Sequence, residues 1–588
     1  MDSKHVTEST SGQEDIQKTW WKEAIIYQIY PRSFQDSDGD GIGDLNGITS
    51  RLDYIQSLGV DIIWLNPIFL SPNDDNGYDI SDYREIMREF GTMEDFDRLL
   101  KEIHKREMRL VLDLVVNHTS DEHPWFEEAR KSRHNSYYNY YHWWPAEKGE
   151  PPLRLSYFDE EGNAWTYNKP TDSYYLHYFS RKQPDLNWEN PEVRQEIFDM
   201  MRFWFDKGID GFRMDSISLI AKDPSFPLID SKKYPDIFSF YAKEPRLHLY
   251  LHEMNRQVLS KYDCMSVGEG SAVMVDDVAK FVDPAREELN MLYHFDAARI
   301  RNTTLPDNPE SGIDYSLIAL KKMFTEWDKA VDKGWPSIYL GNHDQPRMVS
   351  RFGSDKDEFR ALSAKMLITF LLTMRGTPYW FAGDEIGMRN IRFDHIEDYN
   401  DIDTINRYKK AKAEGKDPQA VLDEQKETGR DNARTPFQWD RSPEAGFTAG
   451  TPWLKVNPDY TWINVADEEK DPNSILNYFK KVVSFRKENP SLIYGSYHLL
   501  DAENPQSYTF LRKTGADTYL IMLNFSPKAA ISTPGIDMSN AHVLLDNYGD
   551  RSHMAPQKDI TLRPFEAIVF QLNHPVYESF IDSLDLLE

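Results

Sequence analysis

Between residues 24 and 387 the sequence alternates eight times between predicted strand and predicted helix. The predicted strands span residues 24–34, 59–69, 109–118, 208–217, 264–270, 289–296, 336–344 and 377–387, and the clearest helical patterns span 48–58, 93–107, 192–207, 251–262, 315–331 and 358–374. Strands that alternate with helices form parallel sheets, because each helix carries the chain back to the start of the next strand. Eight such units predict an α/β fold, a (β/α)8 TIM barrel, whose functional site lies at the carboxyl ends of the strands.

The rest of the chain predicts further domains, since 588 residues exceed what one hydrophobic core usually organises. Residues 119–187 are aromatic, polar and too long for a loop, so we expect an inserted domain after the third strand, over the barrel mouth. A charged insertion at 388–447 should also lie at the mouth, and from residue 496 a period of two predicts an antiparallel all-β C-terminal domain. The predicted domains are a disordered leader (1–19), the barrel (20–118 and 188–495), the inserted domain B (119–187), the β domain (496–575) and a short tail (576–588).

The composition favours a neutral small molecule as the partner. A formal net charge of −29 repels phosphates and anionic head groups, which argues against nucleic acid and membrane surfaces. Aromatic residues make up 13% of the chain and can stack on sugar rings, although core packing must account for most of them. The single cysteine, Cys264, excludes an intrachain disulfide. Without a visible signal peptide or apolar span, we expect the protein in the cytoplasm, or in the periplasm if a signal peptide was removed. We also expect a monomer or a small homo-oligomer.

The predicted strand 208–217 carries two charged residues near its end, Arg213 and Asp215. Side chains at i and i+2 lie on the same face of a strand, so the two point together. Arg213 then favours the ionised form of Asp215, which prepares a carboxylate nucleophile. A structural ion pair at a strand end is an equally good interpretation of these two residues alone.

An acidic loop follows the first predicted strand, with an oxygen ligand at every second position from residue 36 to residue 44. This spacing matches the front half of an EF-hand loop and predicts a bound Ca²⁺ rather than a solvated acidic turn. The predicted ligands are the side chains of Asp36, Asp38, Asp40 and Asp44 and the carbonyl of Ile42. Position 12 holds Gly47 instead of the bidentate glutamate, which favours a structural clip over a calcium sensor.

Other predicted barrel strands also end in polar residues. Glu269 closes the fifth strand, His343 and Asp344 close the seventh, and His118 ends the third. Carboxylates gathered at one barrel mouth with Asp215 would repel one another, which favours catalysis as the reason for them. Retaining glycoside hydrolysis uses such carboxylates: one attacks the anomeric carbon, and a second, with a raised pKa, protonates the leaving oxygen.

Five short motifs in family order make the sequence resemble the α-amylase superfamily, glycoside hydrolase family 13, and within it the oligo-1,6-glucosidase and α-glucosidase branch. They are DLVVNH at 113–118, QPDLN at 183–187, GFRMD at 211–215, the glutamate of VGEG at 269 and NHD at 342–344. The resemblance covers almost the entire chain. It implies a retaining, exo-acting α-glucosidase that removes the non-reducing terminal glucose of short maltose-type or isomaltose-type oligosaccharides, or of sucrose, through a covalent glucosyl-enzyme.

The resemblance also implies roles for single residues. The three catalytic residues are expected to be Asp215 as the nucleophile, Glu269 as the general acid/base and Asp344 as the residue that binds hydroxyls of the distorted sugar. The expected residues of the glucose subsite are His118, His343 and Arg213, Tyr78 stacked on the ring, Asp79 and Arg434 on its far hydroxyls, and Phe179 and Gln183 in the pocket wall. The acidic loop also resembles a Ca²⁺ loop of this branch.

Two other functions fit the barrel less well. The heavy chains of amino-acid transporters carry a noncatalytic barrel of this kind, but they need a membrane anchor and commonly lack the carboxylates that this sequence has. Sucrose isomerases typically carry an Arg-Leu-Asp-Arg-Asp loop after the sixth strand. The equivalent stretch here, residues 299–303, reads Arg-Ile-Arg-Asn-Thr and has lost both acids. We therefore expect hydrolysis, with transglycosylation as a side reaction.

Ser216 stands where, as the resemblance implies, isomaltose-type enzymes carry valine and maltose-type enzymes threonine, and where the residue can border the leaving sugar. A serine hydroxyl resembles threonine in polarity and leaves more room. We therefore expect α-1,4 disaccharides to be accepted at least comparably to α-1,6 disaccharides. We also expect short substrates to be strongly preferred over starch, because the two insertions should close one end of the cleft.

Overall fold

The computed structural model of the protein describes residues 18–158, 162–230, 232–233, 237–331, 333–515, 517–551 and 558–572. The predicted leader falls almost entirely, and the predicted tail entirely, outside these residues. In the part of the chain that is described, no helix has both the length and the apolar character needed to cross a bilayer.

Eight parallel strands form the barrel, so the fold predicted from the alternation is confirmed. In chain order they are β1 (Ile26–Ile29), β2 (Ile62–Leu65), β3 (Arg109–Val115), β4 (Gly211–Asp215), β5 (Met265–Gly270), β6 (Met291–His294), β7 (Ser337–Ile338) and β8 (Thr377–Phe381). Strands β1 to β6 pair in sequence order, β7 pairs with β8, and β8 pairs with β1. Between β6 and β7 the described residues form no ladder, and the hydroxyl of Ser337 donates instead to the carbonyl of Leu292 at 2.7 Å.

The strands are shorter than the apolar runs that predicted them. Strand β1 ends at Ile29, although the apolar pattern continues to Phe34. Pro31 causes the early end, because it has no N–H for the ladder and opens the 3-10 turn Pro31–Ser33. The residues beyond the strand ends form the loops of the barrel mouth, and these loops carry most of the polar side chains described below.

Local chemistry fixes where the outer helices begin. The principal ones are Leu45–Ser50, Leu52–Ser57, Met93–Lys105, Pro191–Lys207, Pro245–Gln257, Leu317–Ala330, Arg360–Thr373 and Ile475–Glu488. Thr92 and Asp95 form a capping box ahead of Met93–Lys105. The helix predicted at 251–262 begins earlier, since Pro245 suits a first helical turn, and it ends at Gln257 before a 3-10 turn.

The barrel interior is filled with side chains, so the site can lie only at an end of the barrel. Its buried residues include Ile26, Ile62, Trp64, Val111, Met265, Val267, Met291, Tyr293 and Tyr379. A larger core lies between the strands and the helices. Gly211 lets β4 approach β5 closely, because a Cβ atom there would lie 2.2 Å from the carbonyl oxygen of Met265.

Two insertions and a β domain complete the fold. The inserted domain after β3 has a three-stranded antiparallel sheet of Trp143–Pro145, Ser173–Leu176 and Trp165–Asn168, and the helix Pro124–Ala129. The insertion after β8 contains the helices Ile402–Ala413, Pro418–Thr428 and Asp431–Arg434. The C-terminal domain has a five-stranded sheet of Ser496–Leu500, Ser507–Lys513, Thr518–Asn524, Ala567–Leu572 and His542–Asp546, and a two-stranded sheet of Ala530–Ser532 and Ile560–Leu562.

Candidate active site

A cavity of about 530 Å³ opens at the carboxyl ends of the barrel strands. Strand ends form its floor, and loops and insertions form its walls. Its lining includes the three predicted catalytic residues, Asp215, Glu269 and Asp344, together with Tyr78, His118, Phe179 and Ser216. The fold therefore brings most of the predicted site residues to one cavity.

Arg213 is fully buried beneath this cavity and binds three carboxylates. Its Nη1 donates to Asp113 at 2.7 Å and to Asp215 at 2.8 Å, and its Nη2 donates to Glu269. Strand register explains the first contact, because Asp113 on β3 lies directly opposite Arg213 on β4. The ring of Trp64 covers the guanidinium, with 5.2 Å between Cζ and the ring centre. One positive charge thus holds both predicted catalytic carboxyls of β4 and β5.

Burial decides the protonation of these two carboxyls. It raises the pKa of Glu269 to about 8, against the attraction of Arg213 and with the help of the negative charges of Asp215 and Asp344. It raises the pKa of Asp215 to about 6. Arg213 does favour the ionised form of Asp215, as predicted, but it is shared with Asp113 and Glu269 and does not outweigh burial. At pH 7 Asp215 is mostly ionised and Glu269 mostly protonated.

Asp344 is an anion held by arginines. Its Oδ1 accepts from Arg434 at 3.1 Å and from Arg430 at 3.3 Å. Burial alone would raise the pKa of Asp344, but His343 and the two arginines outweigh burial and hold that pKa well below its usual range. Tyr78 stacks on His343 with 5.4 Å between ring centres, and its hydroxyl lies 2.7 Å from Nε2 of His343. Asp344 is therefore ionised at neutral pH.

His118, Phe179 and Gln183 lie together where the inserted domain meets the barrel. His118 and Phe179 line the cavity, with 5.0 Å between their ring centres. Gln183 is fully buried behind them, and its Nε2 donates to Asp75 at 3.2 Å. Gln183 thus supports the wall through Asp75 rather than facing the cavity.

Asp79 and Arg434, predicted to bind far hydroxyls of the sugar, are both buried behind the cavity surface. Asp79 accepts from the hydroxyl of Ser71 at 2.9 Å and from two backbone N–H groups of the same loop, so it holds the loop in shape. The residues that line the cavity in their place are Asp75 and Arg430, with 3.5 Å between Oδ1 and Nη2. Each of the two side chains that line the cavity lies four residues before the predicted one, because the turn before Asp79 and the helical turn before Arg434 expose an earlier side chain.

Ser216 borders the cavity because the backbone turns sharply after β4. Its φ of 44° is in the left-handed region, directly ahead of the 3-10 turn Ile217–Leu219. In a continuing strand, the residue after Asp215 would point to the opposite face. The turn brings it back to the same cavity, as the prediction for Ser216 requires.

Four further side chains, not predicted from the sequence, also line the cavity. Tyr157 and Phe158 come from the inserted domain, Phe295 from the loop after β6, and Gln345 from the residue after the NHD motif. No motif marks the first three. The only sequence signal for them is their position in segments already expected at the barrel mouth.

The predicted calcium loop brings three acidic side chains together. Oxygen atoms of Asp36, Asp38 and Asp40 lie within 4.8 Å of one another, close enough to share one cation. Burial raises the pKa of Asp40, and repulsion from neighbouring aspartates adds to the shift, a repulsion that a cation would remove. Asp36 also accepts from Thr448, which ties the loop to the segment after the second insertion.

The other two predicted calcium ligands have additional roles in the loop. Asp44 lies outside the group of three, and its carboxylate accepts from the N–H of Gly47 at 2.7 Å and from the hydroxyl of Ser37 at 2.8 Å. It thereby caps the helix Leu45–Ser50. Ile42 donates its N–H to Asp40 at 2.8 Å. Their part in binding a cation stays a prediction.

Comparisons with known proteins agree with this geometry and confirm the resemblance drawn from the five motifs. The family model of the alpha amylase catalytic domain matches residues 28–495. The chain is 51% identical to the oligo-1,6-glucosidase of Parageobacillus thermoglucosidasius, over 95% of this chain and 100% of that protein. It is 49% identical to the oligo-1,6-glucosidase of Bacillus cereus, again over 95% of this chain and 100% of that protein. It is similar to the crystal structure of the isomaltulose synthase SmuA from Protaminobacter rubrum, with a TM-score of 0.89 and 43% identity over 95% of this chain and 100% of that one. The chain therefore belongs to the α-amylase family of glycoside hydrolases.

Proposed function

We propose that the protein is an exo-acting α-glucosidase that hydrolyses short α-glucosides with retention of configuration. The observation that carries the proposal is that Asp215 and Glu269 bind the two terminal nitrogens of one guanidinium, that of Arg213. This sharing favours the separation of about 5 to 5.5 Å typical of retaining enzymes. Inverting enzymes separate their carboxyls by about 6.5 to 9.5 Å to leave room for a water molecule.

The protonation states suit the two steps of a retaining reaction. First, ionised Asp215 attacks the anomeric carbon while Glu269 gives its proton to the glycosidic oxygen, so the leaving sugar departs neutral. Then Glu269, now ionised, takes a proton from the water that attacks the glucosyl ester on Asp215. Asp344 remains an acceptor for ring hydroxyls throughout, since its charge is held by Arg430 and Arg434.

Exo action is supported by a contact between the two insertions beside the cavity, which we propose closes one end of it. Nδ2 of Asn406, on the helix Ile402–Ala413, donates to the carbonyl of Phe158 in the inserted domain at 2.5 Å. Arg430 packs on the ring of Phe158, with 5.0 Å between Cζ and the ring centre, and faces Asp75. A closed end accepts the non-reducing end of an oligosaccharide but not a polymer that continues in both directions.

A substrate panel tests the proposal. Maltose, isomaltose, sucrose, trehalose and starch are each incubated with the protein, and glucose release and the configuration of the first product are measured. We expect short substrates to be strongly preferred, α-glucose as the first product, and a loss of hydrolysis in Asp215→Asn. Asp61→Asn, at the amino end of β2, is the matched control and should remain active. β-Glucose as the first product would contradict retention, and extensive internal cleavage of starch would contradict exo action.

Isomerisation of sucrose is a second candidate, favoured by the similarity to the isomaltulose synthase SmuA. The helix Asp296–Thr303 presents Arg299 to the cavity, whereas Arg301 turns away and binds Asp314 at 2.5 Å. Positions 301 and 303 lack the acids of the isomerase loop. Arg299 alone should therefore bind the released fructose less tightly than that loop does. We therefore expect mainly glucose and fructose from sucrose, and predominant isomaltulose or trehalulose would make the protein an isomerase.

We further propose that the acidic loop holds a structural Ca²⁺. Asp36, Asp38 and Asp40 would bind the cation, with Asp44 and the carbonyl of Ile42 as further ligands. The geometry that supports this is the cluster of three carboxylates within 4.8 Å. The cation would remove their mutual repulsion and fix the loop after β1.

A further inference from the structure

Lys222 is a buried cation beside the glucose subsite that has no part in the mechanism above. Its side chain is fully buried, and its Nζ donates to Oδ1 of Asn117 at 2.6 Å. It also forms an ion pair with Asp185 at 2.9 Å. The three residues come from the loop after β4, the end of β3 and the inserted domain, and Asn117 directly precedes His118 of the cavity wall.

We infer that Lys222 is a positioning residue that acts through Asn117 to hold His118 as the tautomer with its proton on Nε2, so that a hydrogen-bond donor faces the bound sugar. The inference rests on the proposed function, because a sugar hydroxyl is what this donor would bind.

The chemistry of the donors and acceptors fixes the position of the proton. A lysine has only donors, so the Asn117 atom that faces Lys222 must be the carbonyl oxygen. The amide nitrogen of Asn117 then faces Nδ1 of His118, at 3.2 Å. Because an amide nitrogen can only donate, Nδ1 must accept and carries no proton. The neutral ring therefore has its proton on Nε2.

The contacts of the other ring nitrogen lead to the same tautomer. Nε2 of His118 lies 3.0 Å from the carbonyl oxygen of Tyr78, which can only accept. It also lies 3.2 Å from Nε2 of Gln183, but that amide has another acceptor in Asp75. Burial lowers the pKa of His118 to about 3, and the charge of Lys222 opposes protonation further, so the ring is neutral.

Lys222 matters most when a sugar is bound. A sugar hydroxyl that accepts a hydrogen bond from Nε2 of His118 would displace the carbonyl of Tyr78. The contact with Asn117 would then be the one that keeps the tautomer. Without Lys222 the amide of Asn117 can turn over and present its oxygen to Nδ1, which would draw the proton there. Nε2 would then face the sugar as an acceptor.

A double-mutant cycle separates this role from simple support of the fold. Lys222→Met combined with Asp185→Asn removes both charges, so that no unpaired charge is left buried. We expect this pair to lower kcat/KM for an aryl α-glucoside roughly 3- to 10-fold, as for one lost hydrogen bond, and to cause no further loss in a His118→Ala background. An equal loss in both backgrounds would show a purely structural role and overturn the inference.

Lys321→Met is the matched control for removal of a buried lysine. Lys321 is also fully buried, but its ammonium donates to three backbone carbonyls of the C-terminal domain. We expect this variant to lower the melting temperature and to leave kcat/KM unchanged. A similar fall of kcat/KM in Lys321→Met would show that the assay reports loss of stability, and would count against Lys222.

The tautomer can also be observed without any activity. Long-range ¹H–¹⁵N spectra of histidine-labelled protein, with His118→Gln for assignment, distinguish a protonated from an unprotonated ring nitrogen. We expect an unprotonated Nδ1 in the parent and a proton on Nδ1 in Asn117→Asp, where only acceptors face the ring. A protonated Nδ1 in the parent would overturn the inference even in an active enzyme. If the parent hydrolyses no α-glucoside, the proposed function fails while the spectrum still decides the tautomer.

Discussion

Burial is the chief cause of the raised pKa that suits Glu269 to its proposed role as the acid, and the pH dependence of the rate should report this. We expect kcat/KM for maltose to follow a bell-shaped curve. It should fall below a pH of about 6 because Asp215 becomes protonated, and above a pH of about 8 because Glu269 loses its proton. A rate that stays constant far above pH 8 would contradict the assignment of the acid.

Replacing the acid should affect substrates in proportion to how much they need a proton. Glu269→Gln keeps the size of the side chain but has no acidic proton. We expect disaccharides to lose roughly 10²- to 10⁴-fold in kcat, and aryl glucosides with activated leaving groups to lose far less in the first step. Comparable losses on both kinds of substrate would point to a different residue as the acid.

Ser216 provides a test of linkage preference. A change of a methyl or two in a pocket is worth roughly 10- to 200-fold in specificity. We therefore expect Ser216→Val to shift the ratio of kcat/KM for maltose and isomaltose towards isomaltose. Ser216→Ala controls for loss of the hydroxyl, and Ser216→Thr controls for a β-branched side chain at a φ of 44°. If the ratio does not move, other residues that line the cavity set the preference.

The acidic loop after β1 is an element whose stability should depend on a metal. A cation that binds only the folded state adds about 2.7 kcal/mol when its concentration is a hundred times its Kd. We expect a chelator to lower the melting temperature, and added Ca²⁺ to restore it, without a change of kcat at low temperature. Asp38→Asn with Asp40→Asn should remove the effect of the metal. If the metal-free and the calcium-saturated protein melt at the same temperature, the loop is an acidic turn that binds no structural cation.

The order of the elements explains which parts of the site were predictable. Parallel strands must place their carboxyl ends together, so the alternation of the sequence was enough to gather Asp215, Glu269 and Asp344. The positions of Asp75 and Arg430 were not predictable in this way. They depend on how loops fold on themselves, for example on the hydrogen bonds that Asp79 makes to its own loop. Such contacts leave no periodic pattern in a sequence.

At the scale of the whole molecule, the barrel was predictable from the sequence and the contacts around its mouth were not. Eight short strands carry the floor of the site, while the walls come from segments far apart in the chain, which meet only in the folded protein. The sequence predicted that both insertions lie at the mouth, from their length and composition. It did not show that they touch each other through Phe158 and Asn406, because no local signal links residues separated by 248 positions.

The contact between Asn406 and Phe158 should open early when the protein is heated. The inserted domain and the helix Ile402–Ala413 are each attached to the barrel, and they can part at Asn406 while the strands stay intact, since local openings cost less free energy than global unfolding. A protein opened in this way would keep Asp215 and Glu269 in place but lose the wall that we propose rejects long chains. The mixture of products released from starch would then change, towards internal fragments, at a temperature below the one at which the barrel melts.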